Sequence, residues 1–278
     1  MNGTKFGCVI NDLPSRSGEQ KDKYVCIAKA GFDTTDVGGQ VRLDNCQWLS
    51  EAAARGEHIR STGLDVVCYH SELLLPDAPP EINGAIQELH MQSARAQGCS
   101  MFLVHSKWVN YEPFDFSSSR EWAEYMKFDI ANLTELSRRC VRYGLRLVIE
   151  NNPYFPLPYY TQLLEELPQS VAGIIFDIGH ANLQVSGYEY PVSDFIHRLG
   201  KRIEHLHLHD NNGKEDRHIP ILGQGGTIDW KECFRALKTT GYTGVLNEEL
   251  PPMTPPDMIR WAIFERGCQP LRELWEDS

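Results

Sequence analysis

The feature that most constrains this chain is a regular alternation of short apolar runs and helical stretches. Each run has about the length of a β-strand and is rich in Val, Ile, Leu and Phe. The eight runs are KFGCVI (5–10), GFDTTDVGG (31–39), LDVVCYH (64–70), CSMFLVH (99–105), LRLVIEN (145–151), VAGIIFD (171–177), IEHLHLHD (203–210) and GVLNEEL (244–250). Eight strands, each followed by a helix, are typical of a (β/α)8 TIM barrel, and we predict one such domain over residues 1–278.

Helix start and stop signals lie between these runs. One helix is predicted from Asp44 to Gly56, and another is bounded by Asp229 and Gly241. Residues 255–277 are predicted to form the last helix.

An open, doubly wound α/β sheet is the competing architecture. Such a sheet normally carries a glycine-rich phosphate loop after its first strand. Residues 9–20, VINDLPSRSGEQ, contain no such pattern, which favours the barrel.

Composition disfavours several classes of partner. The formal net charge is −11, with 38 acidic against 27 basic residues, so we expect neither a nucleic acid nor an anionic membrane as partner. No apolar run is long enough to span a bilayer, and residues 1–12 lack the pattern of a secretory signal. The eight cysteines show no CxxC pair, which predicts reduced thiols and a cytoplasmic protein.

Six consecutive strands of the predicted barrel, the third to the eighth, end in a residue that can bind a metal. One such residue alone is usually a helix cap or a solvated group. Six such residues at the ends of consecutive strands, at the barrel end where TIM-barrel active sites lie, predict a metal centre. The candidates are His70, His105, Glu150, Asp177 with His180, His207 or His209, and Glu248 or Glu249.

The seventh strand carries the stretch HLHLHD, residues 205–210. Its period of two places the leucines on one face and the histidines on the other. In a barrel we expect the histidines to face the axis, with His207 at the depth of the metal. His205 is then a hydrogen-bonded core residue one layer deeper, and His209 lies nearer the mouth. Oxygen and nitrogen donors without cysteine suit Mn²⁺, Mg²⁺, Co²⁺ or Zn²⁺.

Four stretches resemble the xylose isomerase-like barrel superfamily, and its sugar (phosphate) isomerase/epimerase branch in particular: LVIENN, FDIGHANL, HLHLHDNNGKEDRHIPILGQGGTIDW and GYTGVLNEEL. The resemblance implies one divalent ion, Mn²⁺ first, with Mg²⁺, Co²⁺ or Zn²⁺ as alternatives. The implied ligands are Glu150, Asp177, His207 and Glu249. Glu249 is chosen by the family's spacing after Gly244, and strand parity agrees. Glu248 is then expected on the helix side, in a surface or interhelix ion pair.

The resemblance also implies a sugar or sugar-phosphate isomerase/epimerase that transfers protons through a metal-stabilised enediolate. Glu150 and Glu249 would carry the protons. The substrate-binding residues are then His180 on a sugar oxygen, Arg217 on a hydroxyl or the enediolate, His70, His105, Lys107 on an anionic group, and Trp108 in an aromatic loop. The C-terminal aromatic and leucine pattern is compatible with a homo-oligomer.

Other functions on the same barrel stay open. A dehydratase of inososes or dehydroshikimate would use the same metal site to eliminate water. A nuclease of the endonuclease IV type would hold three zinc ions, with His70, His105, Asp216 and His218 as additional metal ligands, but the negative charge opposes DNA. A non-catalytic sugar-binding barrel is disfavoured because buried carboxylates without a metal destabilise a fold.

Overall fold

The computed structural model describes residues 3–10, 22–39, 41, 47–71, 74–75, 78–105, 119–152, 155–183, 190–251 and 254–278. It contains a closed barrel of eight parallel strands in chain order, so the predicted (β/α)8 fold is confirmed. The strands are β1 (Phe6–Ile10), β2 (Thr34–Gly38), β3 (Asp65–His70), β4 (Met101–His105), β5 (Arg146–Glu150), β6 (Gly173–Asp177), β7 (Ile203–Leu208) and β8 (Leu246–Leu250).

Helices follow the strands and cover the barrel. They are α1 (Lys23–Lys29), α2 (Trp48–Ser61), α3 (Pro80–Gln97), α4 (Ser119–Arg142), α5 (Leu157–Glu166), α6 (Ile178–Asn182), α7 (Val192–Leu199), α8 (Trp230–Thr240), α9 (Pro256–Arg260) and α10 (Gln269–Glu276). A 3₁₀ turn covers Gly200–Arg202 and a π-helical segment covers Trp261–Arg266. None of the described helices combines the length and the apolar character needed to cross a bilayer.

Strand parity sorts the side chains into two environments. Residues of one parity, including Leu206 and Leu208, belong to the large core between the barrel and its helices. A small apolar cluster of the other parity consists of Cys68, Leu103, Val148 and Ile175. Two residues further along the same four strands come His70, His105, Glu150 and Asp177. The apolar layer therefore supports a polar layer at the carboxyl ends of the strands.

The glycine predicted to end α2 lies inside that helix. The helix begins at Trp48, after Gln47, and continues through Gly56 to Ser61, so the predicted end is wrong; Asp44, the predicted cap, lies outside the described residues. A Cβ at Gly56 would lie 2.4 Å from the carbonyl oxygen of Gln97. This glycine therefore permits a close contact between α2 and the end of α3.

The signals of the helix α8 are confirmed. Asp229 is the N-cap and its carboxylate accepts a hydrogen bond from the amide of Glu232 at 3.0 Å. Gly241 is the C-cap, with a φ of 77° in the left-handed region that favours glycine.

The C-terminal stretch is not one helix as predicted, because the chain breaks at Gly267 between the π-helical segment and α10. Just before this break, the buried Arg266 forms an ion pair with Glu248 and donates a hydrogen bond to the carbonyl of Ile221 at 2.6 Å. Glu248 also accepts from the amide of Ile221 at 2.8 Å. Glu248 thus faces the helix layer as predicted. Its ion pair is buried and joins β8 to the π-helical segment, whereas a pair at the surface or between two helices was predicted.

We expect Gly56→Ala to lower the free energy of unfolding by about 1–3 kcal/mol, because the added methyl group overpacks the contact with α3. Urea unfolding followed by circular dichroism measures this. The matched control is Ala54→Gly at an exposed position of the same helix, which is expected to cost about 1 kcal/mol through helix propensity alone. A Gly56→Ala protein more stable than the wild type would contradict the close contact.

Candidate metal centre

Four of the predicted ligands converge at the mouth of the barrel. One donor atom from each of Glu150, Asp177, His207 and Glu249 lies within 4.8 Å of the others; we call these four residues the central set. Nδ1 of His207 lies 2.5 Å from Oε1 of Glu150 and 3.6 Å from Oε2 of Glu249. Glu150, Asp177 and His207 are almost completely buried, whereas the Glu249 side chain is 15% exposed. The central set therefore presents three carboxylates and one imidazole to a single point.

Strand pairing explains this convergence. Glu150 is in register with His105 on the neighbouring strand β4, and Asp177 is in register with His207 on β7. Asn151 continues the pattern beyond the end of β5: its side chain accepts from the amide of Asp177 at 2.8 Å and donates to the Asp177 carbonyl at 2.9 Å. The backbone of Asp177 is thereby held at the level of Glu150.

A second group lies on the β3 and β4 side of Glu150. Nε2 of His105 lies 3.2 Å from Nε2 of His70 and 3.3 Å from Oε2 of Glu150. Nε2 of His70 lies 3.7 Å from the same carboxylate oxygen. Glu150 thus belongs to two potential metal-binding groups at once.

A third group lies on the other side, beside Asp177. It consists of His180, His209, Asp216 and His218, with donor atoms within 4.8 Å of one another. Asp216 lies at its centre, 3.4 Å from Nε2 of His180 and 3.2 Å from Nε2 of His218. Nε2 of His209 lies 3.1 Å from Oδ1 of Asp177, so this group adjoins the central set.

The loop after β7 carries Asp216 and His218 into the third group. Asp210 and Ile219 exchange backbone hydrogen bonds of 2.6 and 2.7 Å, which close the loop at its base. His218 has a φ of 44°, which is uncommon for a residue with a side chain. Its ring stacks on His209 with centroids 3.6 Å apart.

His180 is oriented by its neighbours. Its amide donates to Asp177 Oδ1 at 2.7 Å, and its Nδ1 lies 2.8 Å from the carbonyl oxygen of Asn151. That carbonyl only accepts, so Nδ1 carries a proton and Nε2 faces Asp216. The D-x-x-H spacing thus turns the imidazole toward the site.

Protons on histidines balance the carboxylates when no metal is bound. Burial opposes protonation of His207, but Glu249 and Glu150 outweigh it and hold the His207 pKa well above its ordinary value. Asp177 and then Asp216 raise the pKa of His180 in the same way against the effect of burial. Burial likewise disfavours the ionised Glu150, yet His207 keeps the pKa of that carboxyl well below its usual range.

His105 behaves differently from these two imidazoles. Burial lowers its pKa to about 3, which the charge of Glu150 only partly opposes. Its ring is therefore neutral near pH 7, the form in which histidine binds metals.

The central set fits a divalent cation. Within the described part of the chain, Oδ2 of Asp177 is buried and has no hydrogen-bond partner. Three carboxylates within such a short distance repel one another unless a positive charge lies between them. Oxygen donors combined with one imidazole suit Mn²⁺, Mg²⁺, Co²⁺ or Zn²⁺.

One predicted substrate-binding residue, Arg217, is not brought into this cluster. Nε of Arg217 lies 3.3 Å from Glu215, and both side chains are more than half exposed. Lys107 and Trp108 lie outside the described residues.

Two residues that contribute to the cluster, Asn151 and Asp36, were not predicted to do so from the sequence. Asn151 follows the predicted ligand Glu150 directly, whereas His209 was predicted as the alternative to His207 on the seventh strand. Asp36, on β2, contacts both His205 and His207. Its only signal is a carboxylate inside an otherwise uncharged run, TTDVG.

Comparison with known proteins agrees with this architecture. The family model described as xylose isomerase-like TIM barrel matches residues 26–266. An uncharacterized protein of Methanocaldococcus jannaschii is 28% identical over 179 residues, which cover 62% of this chain and 60% of that protein. This chain therefore matches less than two thirds of that relative's length.

Two further comparisons extend over most of the chain. The D-psicose 3-epimerase of Enterocloster bolteae is 22% identical over 253 residues, covering 87% of this chain and 80% of that enzyme. The crystal structure of a D-tagatose 3-epimerase-like protein superposes with a TM-score of 0.70 at 20% identity, covering 99% of this chain and 98% of the other.

We expect Mn²⁺ binding to release protons and to tighten as the pH rises. The raised pKa of His207 means that a metal must displace its proton, so protons compete with the metal at lower pH. Isothermal titration calorimetry in buffers of different ionisation enthalpy, between about pH 6 and 8, counts the protons released. His207→Gln should release fewer, whereas His197→Gln, at an exposed position of α7, should match the wild type. Binding independent of pH would contradict the protonated apo state.

Proposed function

Because the chain belongs to the xylose isomerase-like TIM barrel family, we propose that it is a metal-dependent isomerase or epimerase of a small free or phosphorylated sugar. The observation that carries this proposal is the convergence of Glu150, Asp177, His207 and Glu249 at the carboxyl ends of their strands. The similarity to a D-psicose 3-epimerase over most of the chain supports the same reaction class.

The residues of the central set would hold one divalent ion, with Mn²⁺ the first candidate. Such an ion supplies positive charge where the carbonyl oxygen of an open-chain sugar becomes negative as an enediolate forms. Glu150, Asp177 and His207 are buried, so the protein excludes water on their side of the site. Glu249 is the most exposed of the four, so a sugar would approach the central set from its side.

Glu150 and Glu249 are the proposed proton carriers. They lie on β5 and β8, separated by two intervening strands, with His207 between them. One glutamate, as the carboxylate, removes the proton from the carbon beside the carbonyl group, and the other, as the carboxylic acid, returns a proton to the opposite face, which inverts that carbon. Return of the proton to the neighbouring carbon would instead interconvert an aldose and a ketose. The low pKa of Glu150 keeps this carboxyl ionised near pH 7.

His180 is the proposed contact for a sugar hydroxyl. Its Nδ1 is engaged by Asn151, so Nε2 is the atom directed into the site. Roles for His70 and His105 in substrate binding are part of the same proposal, as are those of Arg217, Lys107 and Trp108. Six described cysteines, all of them buried, are free thiols, which supports a cytoplasmic location: Cys8, Cys68, Cys99, Cys140, Cys233 and Cys268.

The test is proton exchange in D₂O. Protein loaded with Mn²⁺ is incubated with ketoses, ketose phosphates and inososes, and NMR reports the product and the carbon that gains deuterium. We expect Glu150→Gln and Glu249→Gln to lower turnover by about 10²–10⁴-fold. Substantial activity in either variant would contradict the assignment, and loss of water from an inosose would identify a dehydratase.

The matched control is Glu215→Gln. This carboxylate lies on the loop after β7, and its side chain is 66% exposed. The substitution removes one negative charge close to the site without altering the central set, so turnover should stay within about twofold of the wild type.

A second candidate function is phosphodiester hydrolysis by three metal ions. The specific observation in its favour is that Glu150 and Asp177 each adjoin a further group of potential ligands. Clustered ions activate water and stabilise the leaving oxygen in such enzymes. The formal net charge of −11 opposes a nucleic-acid substrate, which ranks this candidate second.

Metal stoichiometry separates the two candidates. Inductively coupled plasma mass spectrometry after extensive dialysis should find one exchangeable divalent ion per chain for the isomerase. Three retained zinc ions, together with cleavage of an abasic-site oligonucleotide, would favour the hydrolase. Asp216→Asn should leave one ion bound in the first case and reduce the count in the second.

A further inference from the structure

Asp36 lies inside the barrel directly below the central set. It is on β2, next to the strand β3 that carries the apolar cluster residue Cys68, and the residue is 5% exposed. Nε2 of His207 lies 3.3 Å from Oδ2 of Asp36. No part of the proton transfer described above uses this carboxylate.

Three donors fix Asp36 independently of His207. The amide of Cys68 donates to Oδ1 at 3.1 Å, and Nδ2 of Asn247 donates to Oδ2 at 3.0 Å. Nε2 of His205 lies 2.8 Å from the same Oδ2. These contacts come from β3, β8 and β7, so the carboxylate is immobilised from several sides of the barrel.

The ring of His207 spans the distance between Asp36 and the central set. Its Nε2 faces Asp36, while its Nδ1 faces Glu150 at 2.5 Å and Glu249 at 3.6 Å. An ionised carboxylate only accepts hydrogen bonds, so once a metal takes the place of the contact between Nδ1 and Glu150, the partner at Nε2 keeps the remaining proton on that nitrogen. The lone pair of the neutral ring is then on Nδ1, which points at the centre of the set.

We propose that Asp36 is a positioning residue that fixes the tautomer and orientation of His207 so that Nδ1 binds the metal. The inference rests on the proposed function, because it presupposes an ion in the central set. A carboxylate behind a metal-binding histidine typically strengthens metal binding through the basicity and alignment of the ring. His205 and His207 lie on the same strand, β7, and both contact Asp36. The contact with His205 helps to hold this carboxylate in place beside the proposed ligand His207.

The first experiment measures Mn²⁺ affinity by competition with a fluorescent chelator. We expect Asp36→Asn to raise the Kd for Mn²⁺ by about 10–100-fold. The control is Asp129→Asn, which removes another buried carboxylate, one that accepts from the hydroxyl of Tyr159 at 2.9 Å outside the barrel. It should alter stability but leave the Kd unchanged. Equal Mn²⁺ affinity in Asp36→Asn and wild type would overturn the inference.

The second experiment needs no variant of Asp36 to fold. Long-range ¹H–¹⁵N spectra of Zn²⁺-loaded wild-type protein report which ring nitrogen carries the proton, with His207 assigned from the spectrum of His207→Gln. We expect a proton on Nε2 and the metal on Nδ1; the reverse would overturn the inference. If the wild type binds neither Mn²⁺ nor Zn²⁺, the proposed function fails as well, whereas a bound metal with the other tautomer refutes the role of Asp36 alone.

Discussion

Repulsion among buried carboxylates is the constraint on which the mouth of this barrel depends. Glu150, Asp177 and Glu249 converge within a few ångströms, and two of the three have almost no access to water. Such an arrangement is stable only when positive charge lies among the acids. Protonated imidazoles supply it in the free protein and a divalent cation would supply it in the loaded one. His180 and His207 are therefore both potential ligands and counter-charges.

The closed barrel determines how far this charge balance extends. Each strand ends at a similar height, so donors from β3 to β8 form a nearly continuous ring, and the loop after β7 adds Asp216 and His218. Glu150 and Asp177 each belong to the central set and adjoin a second group. The charge of one group therefore acts directly on the groups beside it.

Much of the fold and half of the site could be predicted from strand periodicity. A period of two assigns Glu150, Asp177 and His207 to the barrel interior because each lies in or at the end of a recognisable apolar run. The choice of Glu249 over Glu248 came from the resemblance to the family, and strand parity agreed with it. Asp36 could not be found in this way, since its partner His205 lies 169 residues further along the chain. Periodicity also says nothing about a loop, so it could not distinguish the inward Asp216 from the exposed Arg217. The end of α2 was wrongly predicted at Gly56 because a glycine is a common helix stop signal. This glycine is instead needed for the close contact with α3, which the local sequence does not reveal.

The ion pair between Glu248 and Arg266 has a consequence for how the chain acquires its structure during synthesis. Strand β8 places Glu249 inside the barrel and Glu248 outside it, in a pocket closed to water. A nascent chain leaves the ribosome from its N-terminus, so Glu248 emerges before the arginine that neutralises it. The last strand therefore cannot settle into a charge-neutral position until the segment that follows α9 has also been released. Any delay in placing Glu248 also delays Glu249, its neighbour on β8.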